Sequence, residues 1–187
     1  IQSLLVERAA QTGISAINLN TNTNTTTPEN VQTVDFTKVK TPELFFGYEF
    51  ARAPLGNSEG FKPNQTVTYS VPQRSDLKPN TIYLIGDWKN NADNMELQSD
   101  TGSIALAYSA KSANIVAGGK GEATVKEDGK VYQTNNSSKG NDLNDEGKLN
   151  IDGQRLYNIA DHTKYGNHYI EINAKGSGFK AYTFTFG

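Results

Sequence analysis

The chain contains no cysteine among its 187 residues, and this absence excludes several kinds of chemistry. Disulfide bonds, thiolate-bound zinc and cysteine nucleophiles all need a thiol, and so does thiol–disulfide exchange. No apolar run approaches the roughly 20 residues of a membrane-spanning helix, and no signal-peptide pattern is present. We therefore expect neither redox catalysis nor direct membrane insertion by this chain.

The chain also lacks an excess of charge of either sign. There are 18 Lys and Arg residues against 20 Asp and Glu residues, so the net charge is −2, and no basic cluster stands out. Nucleic acids and anionic membranes need concentrated positive charge on their protein partners, so we expect neither as a partner. Hydrophobic residues make up 35% of the chain, which is below the usual share for a globular domain.

Short β-patterns fill the chain from residue 66 onward. In the last of them Tyr182, Phe184 and Phe186 alternate with other residues, which predicts that the three rings share one face. The pair Asp128-Gly129 predicts a type I′ hairpin. About ten strands at short spacing predict an all-β fold, a β-sandwich of jelly-roll type, for residues 38–187. The predicted strands are 66–71, 81–88, 95–97, 103–108, 114–117, 122–127, 130–133, 149–152, 155–159, 168–172 and 180–186.

The N-terminal segment has a different character. Residues 1–13 predict a short helix ending at Gly13, and a helix of this length gains little stability by itself in water. We interpret it as the terminal helix of a preceding domain; the alternative is a helix packed on this domain's own sheet. The Asn- and Thr-rich residues 14–37 predict a linker. Thr41-Pro42-Glu43 predicts one helical turn with Thr41 as its N-cap.

No catalytic motif is present. The patterns G-x-S-x-G and H-E-x-x-H are absent, and so is a phosphate-binding loop. Glycoside hydrolysis needs two facing carboxylates; Glu43, Asp87, Asp161 and Glu171 are available, but nothing selects a pair. We therefore expect no enzymatic activity. The alternative is a hydrolase whose pair of catalytic carboxylates cannot be recognised from the sequence.

Metal-binding patterns are weak. His162 and His168 are six residues apart, wider than the usual spacing of histidine ligands, so we interpret both as structural residues. Asp142 and Asp145 lie in an oxygen-rich segment, 141–146, and are a weak calcium candidate; a solvated polar loop is the alternative. Apart from that calcium ion, we expect no cofactor.

Aromatic and polar residues provide a candidate binding site. Sugars stack on aromatic rings and hydrogen-bond to fixed polar groups, and the same amphipathic rings also serve protein interfaces. The alternative is that Trp88 and Tyr157 are core residues. The candidate ligand-binding set is Trp88, Tyr157, Arg155, Tyr48, Asp87 and Glu43.

Four blocks of the sequence resemble a known family. Thr41-Pro42-Glu43-Leu44-Phe45-Phe46-Gly47-Tyr48 is similar to the Thr-Pro-Glu-x-Tyr-x-Gly segment that follows the thioredoxin fold in DipZ-type proteins. The chain has Phe45 where that segment has Tyr, and so lacks a hydroxyl there. Three later blocks resemble the same family's C-terminal domain in order, spacing and terminal position: Leu84-Ile85-Gly86-Asp87-Trp88, Arg155-Leu156-Tyr157-Asn158-Ile159 and Tyr182-Thr183-Phe184-Thr185-Phe186-Gly187.

The resemblance implies a parent architecture. DipZ-type proteins are bacterial, with a membrane-embedded DsbD-like part, an extracytoplasmic thioredoxin-like domain and a C-terminal β-sandwich that resembles a carbohydrate-binding module. Residues 1–13 would then be the last helix of the thioredoxin-like domain. The location would be the cell envelope, either periplasmic or at the cell surface, with membrane anchoring through the rest of the parent protein.

Two functions follow from the resemblance. The first is a non-catalytic, carbohydrate-binding-like accessory domain that positions the redox domain near cell-wall glycan or a glycosylated substrate. The alternative is a protein-interaction domain that docks on its own thioredoxin-like domain without binding sugar, with residues 41–48 as the interdomain contact.

Overall fold

Ten antiparallel strands form the regular structure of this protein in a computed structural model that describes residues 34–70, 77–133 and 136–187. The predicted helix 1–13 and most of the predicted linker 14–37 lie outside the described residues. No helix that could cross a membrane occurs in the described part of the chain. The strands are β1 (Leu44–Phe45), β2 (Thr66–Tyr69), β3 (Tyr83–Asn90), β4 (Met95–Leu97), β5 (Thr101–Gly118), β6 (Gly121–Glu127), β7 (Lys130–Val131), β8 (Lys148–Ile151), β9 (Arg155–Lys175) and β10 (Lys180–Phe186).

The long strands β5 and β9 organise the fold. They pair with each other over nearly their whole length. The first part of β5 also pairs with β3, and its last part pairs with β10. Strand β4 pairs with both β3 and β10, so β3, β4, β10 and β5 close a hydrogen-bonded circuit. The predicted all-β class is confirmed, and the topology is consistent with the predicted β-sandwich.

Alternation along the strands separates the core from the outer face. On β5 the side chains of Ile104, Leu106 and Tyr108 are at most 2% exposed, so alternate residues of the predicted strand 103–108 share one inward face. On β9 Ile172 lies opposite Ile104 and is also fully buried. Ser103, which precedes Ile104, lies on the outer face, as expected for a strand with one buried face.

Two pairs of predicted strands are single strands in the structure. Segments 103–108 and 114–117 belong to β5, and segments 155–159 and 168–172 belong to β9. The polar residues between them, which the sequence pattern leaves outside the predicted strands, continue β5 and β9, because partner strands supply hydrogen bonds that local sequence does not reveal. Irregular register accommodates the polar stretch: Ala110 pairs with Gly166 but Ser112 pairs with Asp161. Residues 162–165 therefore form a wide bulge opposite a single residue of β5.

A second irregularity corrects the prediction for β10. The register shifts between Ala181 and Thr183, so the alternation of the three rings is interrupted at Tyr182. Phe184 is fully buried, and its ring centroid lies 6.2 Å from that of Phe186. Tyr182 is only half-buried. A bulge changes the facing of residues on its two sides, and single-residue shifts of this kind leave no trace in an aromatic pattern.

Of the two predicted turns, the hairpin turn at Asp128-Gly129 is present and the helical turn at Thr41 is not. The hairpin between β6 and β7 is confirmed, because Asp128 and Gly129 have φ values of 49° and 81°, as a type I′ turn requires. The predicted helical turn at Thr41 is wrong, since residues 41–43 contain no helix and lead directly into β1. The Thr41 hydroxyl instead lies 2.6 Å from Oδ1 of Asn80 and accepts the N–H of Ser109 at 2.7 Å. These distant partners outweigh the local capping preference.

Candidate functional site

Trp88 belongs to the core. Its side chain is fully buried, and its indole N–H donates to the carbonyl of Ile85 at 2.9 Å. The ring packs edge-on against Phe179, with centroids 6.2 Å apart. No ring face is left for a sugar, so the alternative assignment of Trp88 as a core residue is the one that the structure supports.

Tyr157 is likewise buried, with Arg155 above it. The guanidinium carbon of Arg155 lies 3.8 Å from the centre of the Tyr157 ring, a cation–π contact. Arg155 also forms ion pairs with Asp142 at 2.8 Å and Asp152 at 3.2 Å. The Tyr157 hydroxyl lies 2.8 Å from Oδ1 of Asp152 and from the carbonyl of Gly153. The stacking surface of this tyrosine is therefore occupied by the protein's own arginine.

This cluster makes the stability of the protein pH-dependent through Asp152. The hydrogen bond from Tyr157, and then Arg155, hold the pKa of Asp152 below its usual value of 3.8. A carboxyl group with a lowered folded-state pKa stabilises the fold above its unfolded pKa, and that contribution is lost as pH falls through the folded value. We expect urea midpoints of the wild type and Asp152→Asn to converge as the pH falls below about 5. A difference that stays constant with pH, or that Tyr157→Phe does not reduce, would contradict this assignment.

The remaining predicted site residues are dispersed. Glu43 is exposed, with Oε1 3.5 Å from the Thr183 hydroxyl. Asp87 accepts a hydrogen bond from the Thr68 hydroxyl at 2.6 Å, and the hydroxyl of the half-buried Tyr48 lies 3.4 Å from Oδ1 of Asn64.

The sheet register shows that Arg155 and Tyr157 on β9 lie apart from Asp87 and Trp88 on β3. Arg155 pairs with Ala117, Ala117 with Ala181, Ala181 with Met95, and Met95 with Asn90 of β3. Along this path four strand-to-strand steps separate Arg155 from Asn90. Of the six predicted residues, the structure brings together only Arg155 and Tyr157.

The weak calcium candidates are each paired with a cation of the protein. Asp142 binds Arg155, and its other oxygen accepts the N–H of Asn158 at 2.7 Å. Asp145 pairs with Lys139 at 3.3 Å. This arrangement supports the alternative of a polar loop.

An apolar surface surrounds Pro42. Two shallow cavities of about 300 and 380 Å³ share Pro42 and Glu43 in their walls. The exposed ring of Phe36 lines one cavity, and Phe45 lines the other. Phe50, whose ring lies 6.3 Å from that of Phe45, extends the apolar area. We call this region, formed by Phe36, Pro42, Glu43, Phe45, Phe50, Arg52 and Pro54, the Pro42 surface.

A polar depression of about 520 Å³ lies elsewhere, on the outer face of β3, β5, β6 and β9. One row across it runs from Thr124 through Asn173 and Ser103 to Ile85, as the register shows. The Ser103 hydroxyl lies 2.7 Å from Oδ1 of Asn173. Glu122 and Lys175 complete its polar lining. We call this region the polar face.

Two histidines and a glutamate meet beside the bulge of β9. Nε2 of His162 lies 2.7 Å from Oε1 of Glu127, and Nδ1 of His168 lies 3.5 Å from the same oxygen. The imidazole rings stack with centroids 3.6 Å apart. The three side chains are only 12–16% exposed. We call this group the Glu127 cluster.

The electrostatics of the Glu127 cluster follow from burial and close contact. Burial acts to raise the pKa of Glu127, but its contacts with His162 and Ser138 outweigh burial and hold that pKa below the usual range. Burial, and then the neighbouring His162, lower the pKa of His168. Burial also strongly raises the pKa values of Tyr108 and Tyr132, so both phenols stay protonated beside the Glu127 carboxylate.

One protein-family model matches most of the chain. Residues 41–187 match the family model described as a thioredoxin-like C-terminal domain. The chain belongs to the thioredoxin-like C-terminal domain family. It is therefore an accessory domain of a thioredoxin-family protein, and the predicted membership in a thioredoxin-related family is confirmed. No curated protein matches the chain significantly.

The match covers nearly every surface described above. In this thioredoxin-like C-terminal domain the polar face and the Glu127 cluster lie inside residues 41–187, whereas Phe36 of the Pro42 surface precedes them. Sequence analysis missed Phe36 and Phe50 because single aromatic residues in polar segments carry no pattern. It missed Glu127 because that residue precedes an ordinary hairpin turn.

Proposed function

We propose that this chain is a non-catalytic accessory domain that docks on the thioredoxin-like domain of the same protein through the Pro42 surface. The observation that carries the proposal is the exposure of two large rings, Phe36 at 76% and Phe50 at 54%, beside the two cavities that share Pro42. Exposed apolar patches rimmed by polar groups mark interaction sites.

The composition of the Pro42 surface suits a protein partner. Its centre is apolar, with Phe45 half-buried and Pro42 exposed. Its rim is charged, since the Arg52 guanidinium lies 5.4 Å from the Phe45 ring centre and Glu43 is exposed. Apolar centres with charged rims are typical of protein–protein interfaces, and aromatic residues often dominate their binding energy.

The position of the Pro42 surface favours the thioredoxin-like domain as the occupant. The family description, a thioredoxin-like C-terminal domain, supports a thioredoxin-like domain earlier in the same protein, and that partner would be linked through residues that precede the β-sandwich. The Pro42 surface is built mainly from residues 36–54, which include the start of the family match at residue 41. A tethered partner meets such a surface at high effective concentration.

The test measures binding of this 187-residue chain to the separately expressed thioredoxin-like domain of its parent protein by biolayer interferometry. We expect a complex that is indifferent to added sugar. Phe50→Ala should weaken it roughly 10-fold, and the double variant Phe36→Ala/Phe50→Ala should weaken it roughly 100-fold.

Leu156→Ala is the matched control, because Leu156 is 48% exposed on β9, outside the Pro42 surface. Its binding should equal that of the wild type. Absence of a complex, or equal losses in Leu156→Ala and Phe50→Ala, would refute docking through the Pro42 surface.

The polar face supports glycan binding as a second candidate function. Hydroxyl, amide, carboxylate and ammonium groups of Ser103, Asn173, Glu122 and Lys175 line one open depression, and such groups hydrogen-bond sugar hydroxyls. A cell-wall glycan would fit the extracytoplasmic location that the resemblance implies. The polar face has no aromatic platform among its described lining residues, so its hydrogen bonds would carry recognition.

Calorimetric titration with peptidoglycan fragments tests this second function. Asn173→Ala should weaken any binding by roughly 10-fold, whereas Arg155→Ala should leave it unchanged. No heat of binding at millimolar fragment concentrations would exclude the polar face as a glycan site and leave docking as the function.

A further inference from the structure

The bulge of β9 places two histidines side by side that an ordinary strand would hold apart. Six residues of extended chain span roughly 20 Å, yet the rings of His162 and His168 stack at 3.6 Å. The cause is the register, since four residues of β9 lie opposite one residue of β5 between the pairs Ala110–Gly166 and Ser112–Asp161. The fold thus builds this juxtaposition with an irregularity, and bulges are often designed features that redirect side chains.

Polar atoms in and around the Glu127 cluster lack hydrogen bonds. Nε2 of His168 and the hydroxyl of Tyr132 are buried and make no hydrogen bond to the described protein atoms, and Oε1 of Glu127 has no donor aligned on it although Nε2 of His162 lies only 2.7 Å away. A buried polar group without a hydrogen-bond partner destabilises the folded state. Such groups call for an explanation, and an ion is one of the standard ones.

We infer that Glu127, His162 and His168 bind a divalent transition-metal ion of the zinc type. Their ligand atoms all lie within 4.8 Å of one another, and Glu127 presents Oε1 to both rings. Two imidazoles with one carboxylate form a donor set that suits zinc and its neighbours. Calcium and magnesium prefer sites made only of oxygen ligands.

The distances are close to those of a zinc site. Zinc–ligand bonds of about 2.0–2.2 Å place tetrahedral ligands roughly 3.4 Å apart. The 3.5 Å between His168 Nδ1 and Glu127 Oε1 matches this spacing, and the 2.7 Å between His162 Nε2 and the same oxygen has to open by about 0.7 Å. The rings also have to tilt, because stacked imidazoles direct their lone pairs side by side. The bulge, which pairs only loosely with β5, is the part of β9 best able to adjust.

Neighbouring residues support the proposed ligands. The Ser138 hydroxyl lies 3.0 Å from Oε2 of Glu127, which holds the carboxylate with Oε1 toward the histidines. A partner such as Ser138 orients a metal ligand. The Tyr108 hydroxyl lies 3.3 Å from Nε2 of His162, the nitrogen that faces Glu127, and would have to move aside when the ion binds. The ion would clamp the bulge of β9 to the end of β6, a structural role that does not rest on the proposed function.

The test is a calorimetric titration of the 187-residue chain with ZnCl₂, accompanied by thermal unfolding at several zinc concentrations. We expect saturable one-to-one binding with a dissociation constant in the micromolar range or tighter, and a melting temperature that rises with zinc concentration. His168→Gln and His162→Gln should each weaken binding by about 100-fold or more, because losing a ligand costs at least as much as losing a supporting partner.

A matched control and a direct signal complete the design. Asp145→Asn removes an exposed carboxylate outside the Glu127 cluster, and its zinc affinity should equal that of the wild type. If the histidine variants do not fold, imidazole ¹⁵N resonances of the wild type report binding directly, and both rings should shift together on adding one equivalent. Absence of one-to-one binding, unchanged imidazole resonances or an affinity insensitive to His168→Gln would overturn the proposal in favour of a hydrated polar cluster.

Discussion

Trp88→Ala is expected to lower the free energy of unfolding by about 3–5 kcal/mol, the range for removing a large ring from a packed core. The Trp88 side chain is fully buried. Its backbone lies between β2 and β4, opposite Val67 and Leu97. The truncation would leave a cavity against Phe179 and remove the indole donor from the carbonyl of Ile85. Urea denaturation followed by circular dichroism measures the change.

Trp88→Phe separates packing from hydrogen bonding. It keeps an aromatic ring but removes the indole N–H, so we expect a smaller loss of about 1–2 kcal/mol. A loss below about 1 kcal/mol for Trp88→Ala would mean that the indole is accessible in solution, and the sugar-stacking role predicted from the sequence would regain support.

Asn57→Ala is expected to lower the free energy of unfolding by about 2–4 kcal/mol, because it leaves buried backbone groups without partners. The Asn57 side chain accepts the N–H of Leu84 at 2.8 Å and donates to the carbonyl of the same residue at 2.8 Å. It also donates to the carbonyl of Ser70 at 3.2 Å. One amide thus acts as a strand partner along an edge of β3. Urea denaturation measures this change as well.

The neighbouring Ser58→Ala is the control for Asn57→Ala. Ser58 is exposed, and its hydroxyl bonds to the adjacent Glu59 at 3.2 Å, so its loss should change stability by less than about 0.5 kcal/mol. Equal effects of the two substitutions would show that the loop containing them does not pack in solution as the structure describes.

The alternation of side chains along a strand predicted the buried faces, but it did not predict the bulges that interrupt those faces. Ile104, Leu106 and Tyr108 face the core as expected, because every second residue of a regular strand faces the same way. Tyr182 departs from its pattern because the register of β10 shifts beside it. Bulges are determined by pairing with a distant strand, and a single sequence contains no direct record of that pairing.

The candidate sites depend even more on distant contacts. Sequence analysis selected Trp88 and Tyr157 because their rings can bind ligands, yet both rings are fully buried. It interpreted His162 and His168 as structural because of their spacing, yet the bulge of β9 joins their rings. Composition shows which side chains are available, whereas burial and proximity emerge only from the assembled sheets.

Docking through the Pro42 surface is most directly tested by an NMR titration of the ¹⁵N-labelled 187-residue chain with the unlabelled thioredoxin-like domain of its parent protein. The account predicts chemical-shift changes concentrated at Phe36, Phe45, Phe50 and Arg52, with Ser103 and Asn173 of the polar face unaffected. Changes concentrated on the polar face, or no changes at saturating partner concentration, would contradict it.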